Sequence, residues 1–374
     1  MPDAGNGTED VCGVERIQEL YESGQSVWYD FIRRDMLTGT ELRGLVAAGI
    51  RGVTSNPSIF EKAIAESDLY DEHIATLGDL MPEEVFEALA ISDIRAAADI
   101  LTTVYESSGG SDGYVSLEVS PELAHDTSGT IANAMRLWAA VDRPNLMIKV
   151  PATEDGIPAI EELTAAGLNI NATLMFSLDH YESVATAYIR GAERASEPSH
   201  LASVASFFVS RVDSSTDAAL TRVGTQRALD LRGRAAVANA KVAYLRYQEL
   251  FEGDRFEALR SKGTSPQRVL WASTSTKNPG YNDVMYVEEL IGPNTVNTMP
   301  PTTMDAFNDH GTVRTGSLLE NTHEASTFIS SLPDIGVNFA DITSALQVDG
   351  VRSFADAYKS LLGTIEDKQT RIHA

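Results

Sequence analysis

The feature that most constrains this chain is a repeated alternation. Short apolar, β-branched runs bounded by turn residues are separated by stretches with helical periodicity. The runs fall at residues 25–32, 49–54, 114–119, 146–151, 167–176, 201–209, 268–273 and 294–299. Between them, apolar residues recur three and four apart; Thr40 and Pro82 stand at expected helix starts, and Gly233 interrupts an Ala-rich helical segment over 216–259. Strands that alternate with helices form parallel sheets, and near-continuous apolar runs require that sheet to be covered on both faces. Without a break in composition, these units predict an α/β protein, a single (β/α)8 TIM barrel over 13–374 with additional N-terminal, inter-strand and C-terminal helices. A polar, Gly-containing segment over 1–12 precedes it and is expected to be mobile. An open doubly wound sheet is the second architecture, but neither GxGxxG nor GxxxxGK is present to support a nucleotide site.

Composition narrows the function. With 43% hydrophobic and 22% charged residues the chain is globular and not disordered. No apolar stretch approaches bilayer-crossing length and no basic-then-apolar leader opens the sequence, so a cytoplasmic protein is expected. The single cysteine, Cys12, excludes an internal disulfide and a cysteine-based zinc cluster; seven histidines without HExxH or His-x-His spacing leave a metal site unsupported. A formal net charge of -25 opposes nucleic acid and anionic membranes. It also works against phosphorylated ligands at long range, so any phosphate site must carry its own cations. The acidity fits equally a heavily solvated surface or a salt-rich habitat.

Several apolar runs are interrupted near their C-terminal ends by one polar residue. Lys149 lies in Leu146-Met147-Ile148-Lys149-Val150-Pro151, Asp30 in the first run, Glu118 in the third, and Asn171 and Thr173 share one face of the fifth. An ammonium in such a strand must be paired or lose its charge, and a neutral amine in a dry pocket is a nucleophile for carbonyls. Alternatively, the lysine stem lies on apolar surface with its head in water, and a lone acid is a surface carboxylate. In a barrel, however, the C-terminal strand ends converge on one mouth, which would make Asp30, Glu118, Lys149, Asn171, Thr173 and Arg211 neighbours. Packing alone gives little reason for polar interruptions at like positions on several strands.

An amine nucleophile with two carboxylates suits Schiff-base carbon–carbon chemistry on a ketose. Asn56, Asn171 and Ser206 can hydrogen-bond sugar hydroxyls, while Arg211 with Ser273, Ser275 and Lys277 makes the cationic patch a phosphate needs. Three rivals remain open. A plain aldolase would release both fragments without an acceptor. A metal-assisted sugar-phosphate isomerase or epimerase would use Asp30 and Glu118 as ligands and Lys149 to polarise the carbonyl. A scaffold barrel is the poorest, since scaffolding does not call for a lysine and two acids inside apolar strands.

Two longer segments carry a resemblance. Gly52-Val53-Thr54-Ser55-Asn56-Pro57-Ser58-Ile59-Phe60 and Ile148-Lys149-Val150-Pro151-Ala152-Thr153-Glu154-Asp155-Gly156-Ile157 resemble the signature segments of the transaldolases. The likeness continues through Asn171-Ala172-Thr173-Leu174-Met175-Phe176-Ser177 and Phe207-Phe208-Val209-Ser210-Arg211 and covers roughly residues 25 to 300. Chain length and Trp271-Ala272-Ser273-Thr274-Ser275-Thr276-Lys277-Asn278-Pro279 look most like the longer bacterial, actinobacterial-type branch.

The resemblance implies transfer of a dihydroxyacetone unit from sedoheptulose 7-phosphate or fructose 6-phosphate to an aldose phosphate, in the non-oxidative pentose phosphate pathway. It implies small sugar phosphates as partners, no cofactor, no metal, no nucleic acid or membrane, and a monomer or homodimer. By the same likeness, Lys149 forms the Schiff base, Asp30 is the acid/base for cleavage, and Glu118 with Thr173 holds the water used in imine formation. Thr54, Asn56, Asn171 and Ser206 would position the donor, and Arg211 and Ser273 would bind phosphate. One departure stands out: where many members carry a second arginine after strand seven, this chain has Ser275, with Lys277 two residues on. A lysine cannot reproduce a bidentate guanidinium contact.

Overall fold

The computed structural model describes residues 9–373. Eight parallel strands close into a barrel in chain order: β1 (Gln25–Tyr29), β2 (Gly52–Val53), β3 (Tyr114–Glu118), β4 (Leu146–Pro151), β5 (Ile170–Met175), β6 (Ser203–Phe208), β7 (Arg268–Ala272) and β8 (Thr295–Met299). The ring shuts where β8 pairs with β1 from Gln25 opposite Thr295 to Tyr29 opposite Met299. Each predicted run contains one strand, so the (β/α)8 expectation holds. All six residues of β4 are buried, as a strand covered by helices outside and by packed side chains inside requires. One hydrophobic cluster extends from Ile17 to Ile365.

Element boundaries differ from the sequence reading where backbone conformation decides. β5 begins at Ile170 and not at residue 167, because Gly167 turns the chain at φ 93. The helical pattern from 59 to 107 resolves into three helices, Pro57–Ala65, Asp71–Leu77 and Pro82–Ser107, the last beginning at Pro82 as expected. The segment over 216–259 is likewise divided, into Ser210–Val223, Gln226–Leu229, Ala235–Phe251 and Asp254–Arg260. Thr40 precedes the helix Glu41–Ala47, but its backbone is already helical and its hydroxyl caps nothing. The helix Glu9–Glu22 begins inside the segment 1–12 expected to be mobile, and residues 1–8 lie outside the described ones.

The two ends of the barrel carry different polar clusters. At the N-terminal end, Asp112 accepts hydrogen bonds from Trp28 Nε1 at 2.8 Å, Arg51 Nε at 3.1 Å, Arg268 at 3.3 Å, and from Ser26. That carboxylate is buried and fully partnered, a tie between strand starts. At the opposite end the polar groups are less completely paired.

From residue 353 on, Phe354, Ala357, Tyr358, Leu361, Leu362 and Ile365 recur three and four apart, a pattern that predicts an amphipathic helix packed on the domain; it is the end of a 35-residue helix, Phe339–His373. It packs against Pro57–Ala65, Asp71–Leu77, Pro82–Ser107 and Ser210–Val223, and so lies over the mouth. Among the described residues no helix is long and apolar enough to cross a membrane.

Candidate active site

Register alone assembles the centre. Glu118 of β3 pairs with Lys149 of β4, which pairs with Asn171 of β5. Three polar side chains therefore enter the barrel at one level. Lys149 is 5% exposed, its Nζ 3.3 Å from Glu118 Oε2 and donating to the Ser55 carbonyl at 3.1 Å. An ammonium held among apolar strands is thus paired. Burial raises the pKa of the Glu118 carboxyl, opposed by the lysine charge and by its contact with the amine. Apart from that contact, neither carboxylate oxygen has a hydrogen-bond partner among the described residues, and Thr173 Oγ1 is equally buried and unpartnered.

Asp30 approaches from the other side of the barrel, its N–H bonded to the Met299 carbonyl at 2.9 Å just beyond the β1–β8 pair. Its Oδ1 accepts from Thr54 Oγ1 at 2.6 Å, which stands 2.7 Å from Thr298 Oγ1. Because Thr54 has one hydroxyl proton, Thr298 must be the donor in the second bond. Burial raises the Asp30 pKa; the Thr54 bond and the charges of Lys149 and Lys277 pull it back. A raised carboxyl in reach of a reacting hydroxyl can both take and return a proton.

Asp30, Lys149 and Thr173 line one cavity of about 200 Å³ with Thr54, Asn56, Ser206, Arg211, Ser273, Ser275 and Lys277. Glu118 is not part of that wall. Neither is Asn171, which is fully buried: its Nδ2 donates to Ser116 Oγ at 3.0 Å and its Oδ1 accepts from Ser206 Oγ at 2.7 Å. Asn171 therefore meets the cavity through Ser206. Asn56 Oδ1 caps the helix Pro57–Ala65 by accepting from Ile59 N at 3.0 Å, so that its Nδ2 is the group left for a ligand.

The cations gather at the β6–β7 side. Arg211 lies in the first turn of Ser210–Val223, half-buried, with its guanidinium 5.5 Å from the Phe208 ring and no acid in ion-pair contact among the described residues. Lys277 donates to Ser275 Oγ at 2.6 Å. Desolvation and the nearby Arg211 charge lower its pKa, and the Asp30 charge across the cavity opposes them. Ser273, whose hydroxyl is 3.0 Å from that of Ser210, holds a left-handed backbone at φ 58. Conformations of that kind in non-glycine residues concentrate at sites where geometry is over-determined.

A larger cavity of about 700 Å³ lies beside this one, between the end of β3 and the helices 57–65, 82–107 and 127–141. Its only cation is Arg136, paired to Glu87, and it contains no lysine. Size therefore does not identify the site; the amine does. Sequence reasoning missed Phe208, Thr298 and Phe354, all of which line the smaller cavity. Phe354 comes from the C-terminal helix, with its ring centroid 5.6 Å from Lys149 Nζ.

Comparison with known proteins gives the same answer as the site. The family described as Transaldolase/Fructose-6-phosphate aldolase matches residues 27–365. A protein named Transaldolase from Frankia alni is 49% identical over 95% of this chain and 98% of its own. Transaldolase 1 of Streptomyces coelicolor is 45% identical over 96% of each, and a Transaldolase of Thiobacillus denitrificans 48% over 93% and 99%. With a closed parallel barrel, a buried lysine paired to an acid, and this coverage, the chain belongs to the transaldolase/fructose-6-phosphate aldolase family.

Proposed function

We propose that this protein is a cytoplasmic transaldolase that moves a dihydroxyacetone unit between sugar phosphates through a Schiff base on Lys149, in the pentose phosphate pathway. The observation that carries the reading is a buried amine paired to Glu118 and sharing a cavity with Asp30, with Arg211 and Lys277, which make no ion pair among the described residues, across that cavity.

Each step has a group suited to it. Glu118, its proton affinity raised by burial, takes the ammonium proton and frees Nζ to attack C2 of the ketose. The carbinolamine then loses water, which the unpartnered Glu118 oxygens and Thr173 Oγ1 receive. Asp30 accepts the C4 hydroxyl proton as the C3–C4 bond breaks, and the electron pair passes into the protonated imine to leave an enamine. An incoming aldehyde takes C3, Asp30 returns the proton, and water releases the new ketose. Ser206 and the free amide of Asn56 orient the donor, with Asn171 holding Ser206 in place.

Arg211 binds the phosphate, aided by the N-terminus of the helix it begins and by Ser273. Lys277, delivered by Ser275, acts as the second cation in place of an arginine, as a point charge and not as a fork. The metal-assisted rival needs Asp30 and Glu118 as ligands. Glu118 already faces the Lys149 ammonium, whose charge would oppose a divalent cation. Lyase against transferase is decided by assay: fructose 6-phosphate with erythrose 4-phosphate should yield sedoheptulose 7-phosphate, with little dihydroxyacetone when the acceptor is omitted. Rapid net cleavage of the donor alone would make the protein an aldolase.

A further inference from the structure

We propose that Phe354 is a specificity-determining residue that retains the enamine for transfer instead of release, and that the C-terminal helix is docked on the mouth to hold it there. The inference rests on the Schiff-base reading above.

The helix is fastened to the strand ends that carry the chemistry. Gln347 Nε2 donates to the Ala152 carbonyl at 2.7 Å, immediately beyond β4, and to the Leu174 carbonyl at 3.2 Å, next to Thr173. Leu174 is buried at φ 62, where β5 shifts register against β6. One turn along, a Cβ on Gly350 would stand 2.9 Å from Leu174 Cδ2, so the helix comes close where only hydrogen fits well. Phe354 follows on the same face, 5% exposed, part of the cavity wall and 5.6 Å from the reacting nitrogen.

After C3–C4 cleavage the enamine has two fates. In transfer, C3 bonds to an aldehyde carbon. In release, C3 takes a proton from water, a second water adds at C2, and the C2–N bond breaks to give dihydroxyacetone and the free amine. Both fates end with water at C2, so the step peculiar to release is proton delivery to C3. C3 lies two bonds from Nζ, and the Phe354 ring, 5.6 Å from that nitrogen in the same cavity wall, brings neither a proton nor a lone pair there.

The test compares wild type, Phe354→Ala, Phe354→Leu and Gln347→Ala on fructose 6-phosphate. Dihydroxyacetone release is measured without acceptor, sedoheptulose 7-phosphate formation with erythrose 4-phosphate, and folding by circular dichroism. The ratio of release to transfer is expected to rise about tenfold in Phe354→Ala, equivalent to about 1.4 kcal/mol. It should rise less in Phe354→Leu, which keeps apolar bulk, and in the same direction in Gln347→Ala, where the mooring is lost. An unchanged ratio, with release and transfer falling together, reduces Phe354 to packing and overturns the proposal. If Phe354→Ala does not fold, Gln347→Ala decides by the same criterion. Borohydride trapping keeps the two ideas apart: an adduct on Lys149 with unchanged ratios sinks the roof alone, whereas no adduct in wild type sinks the Schiff base.

Discussion

Glu118 Oε2 stands 3.3 Å from Lys149 Nζ across a paired rung of β3 and β4, yet Lys149 lines the smaller cavity and Glu118 does not. The amine thus has a proton partner that takes no space from the donor. Glu118→Gln is expected to lower the rate of exchange between the donor C2 oxygen and ¹⁸O-water by about 10²–10⁴, the range for a removed acid/base group. Affinity for inorganic phosphate, a ligand of the distant cations, should stay near wild type. Wild-type oxygen exchange in the variant would remove Glu118 from the water steps.

With Asp30 as the proposed acid/base, its titration should set the acidic limb of activity. Its pKa is raised chiefly by burial, and the Thr54 hydrogen bond opposes that rise. The proton-accepting form is lost as pH falls through the raised value, so the acidic limb of kcat/KM for the donor should lie above the ordinary aspartate value of about 3.9. Thr54→Val removes a bond that favours the charged form and should move that limb to higher pH. A limb that moves down or stays fixed contradicts the assignment.

If Arg211 and Lys277 share the phosphate as proposed, their substitution should weaken phosphorylated donors selectively. Arg211→Ala should raise KM for fructose 6-phosphate about ten- to a hundredfold, from the loss of charge-assisted hydrogen bonds worth about 1.5–3 kcal/mol. The effect on unphosphorylated fructose should be far smaller. Lys277→Ala should act in the same direction, and Lys277→Arg should keep or improve affinity. Steady-state kinetics on the two donors decide, and equal effects on both would take Arg211 out of that role.

The loop after Asp30 depends on a buried ion pair. Asp93, 2% exposed, accepts from Arg34 Nε at 2.9 Å and Nη2 at 2.8 Å and from the Tyr70 hydroxyl at 2.9 Å. Asp93→Ala leaves the arginine uncompensated and should cost about 3–5 kcal/mol of stability. Urea unfolding measures this, and a loss under 1 kcal/mol, the scale of a surface pair, would show that Arg34 finds water instead.

Much of this was legible in the sequence, for a physical reason. A strand covered on both faces is apolar throughout, so Asp30, Glu118, Lys149 and Thr173 stood out as interruptions, and barrel closure supplied their convergence. Arg268 interrupts β7 at its other end and binds Asp112; only strand polarity separates that structural tie from the site. Two features were not legible. Asn171 looks like a ligand group in the sequence, but its amide is used within the barrel, a fact that requires knowing where Ser116 and Ser206 point. Phe354 was read as part of a packing stripe, because a helix that seals a domain and one that roofs an active site carry the same apolar periodicity. The breaks at Gly224 and Gly233, both at φ 71, were half visible: the glycines were there, but glycine also occurs within helices.

Borohydride reduction of the protein with fructose 6-phosphate, followed by peptide mass mapping, tests the central claim most directly. One dihydroxyacetone-derived adduct is expected, on Lys149 and on no other lysine, and none in Lys149→Ala. Full activity of Lys149→Ala, or an adduct on a different lysine, would contradict it.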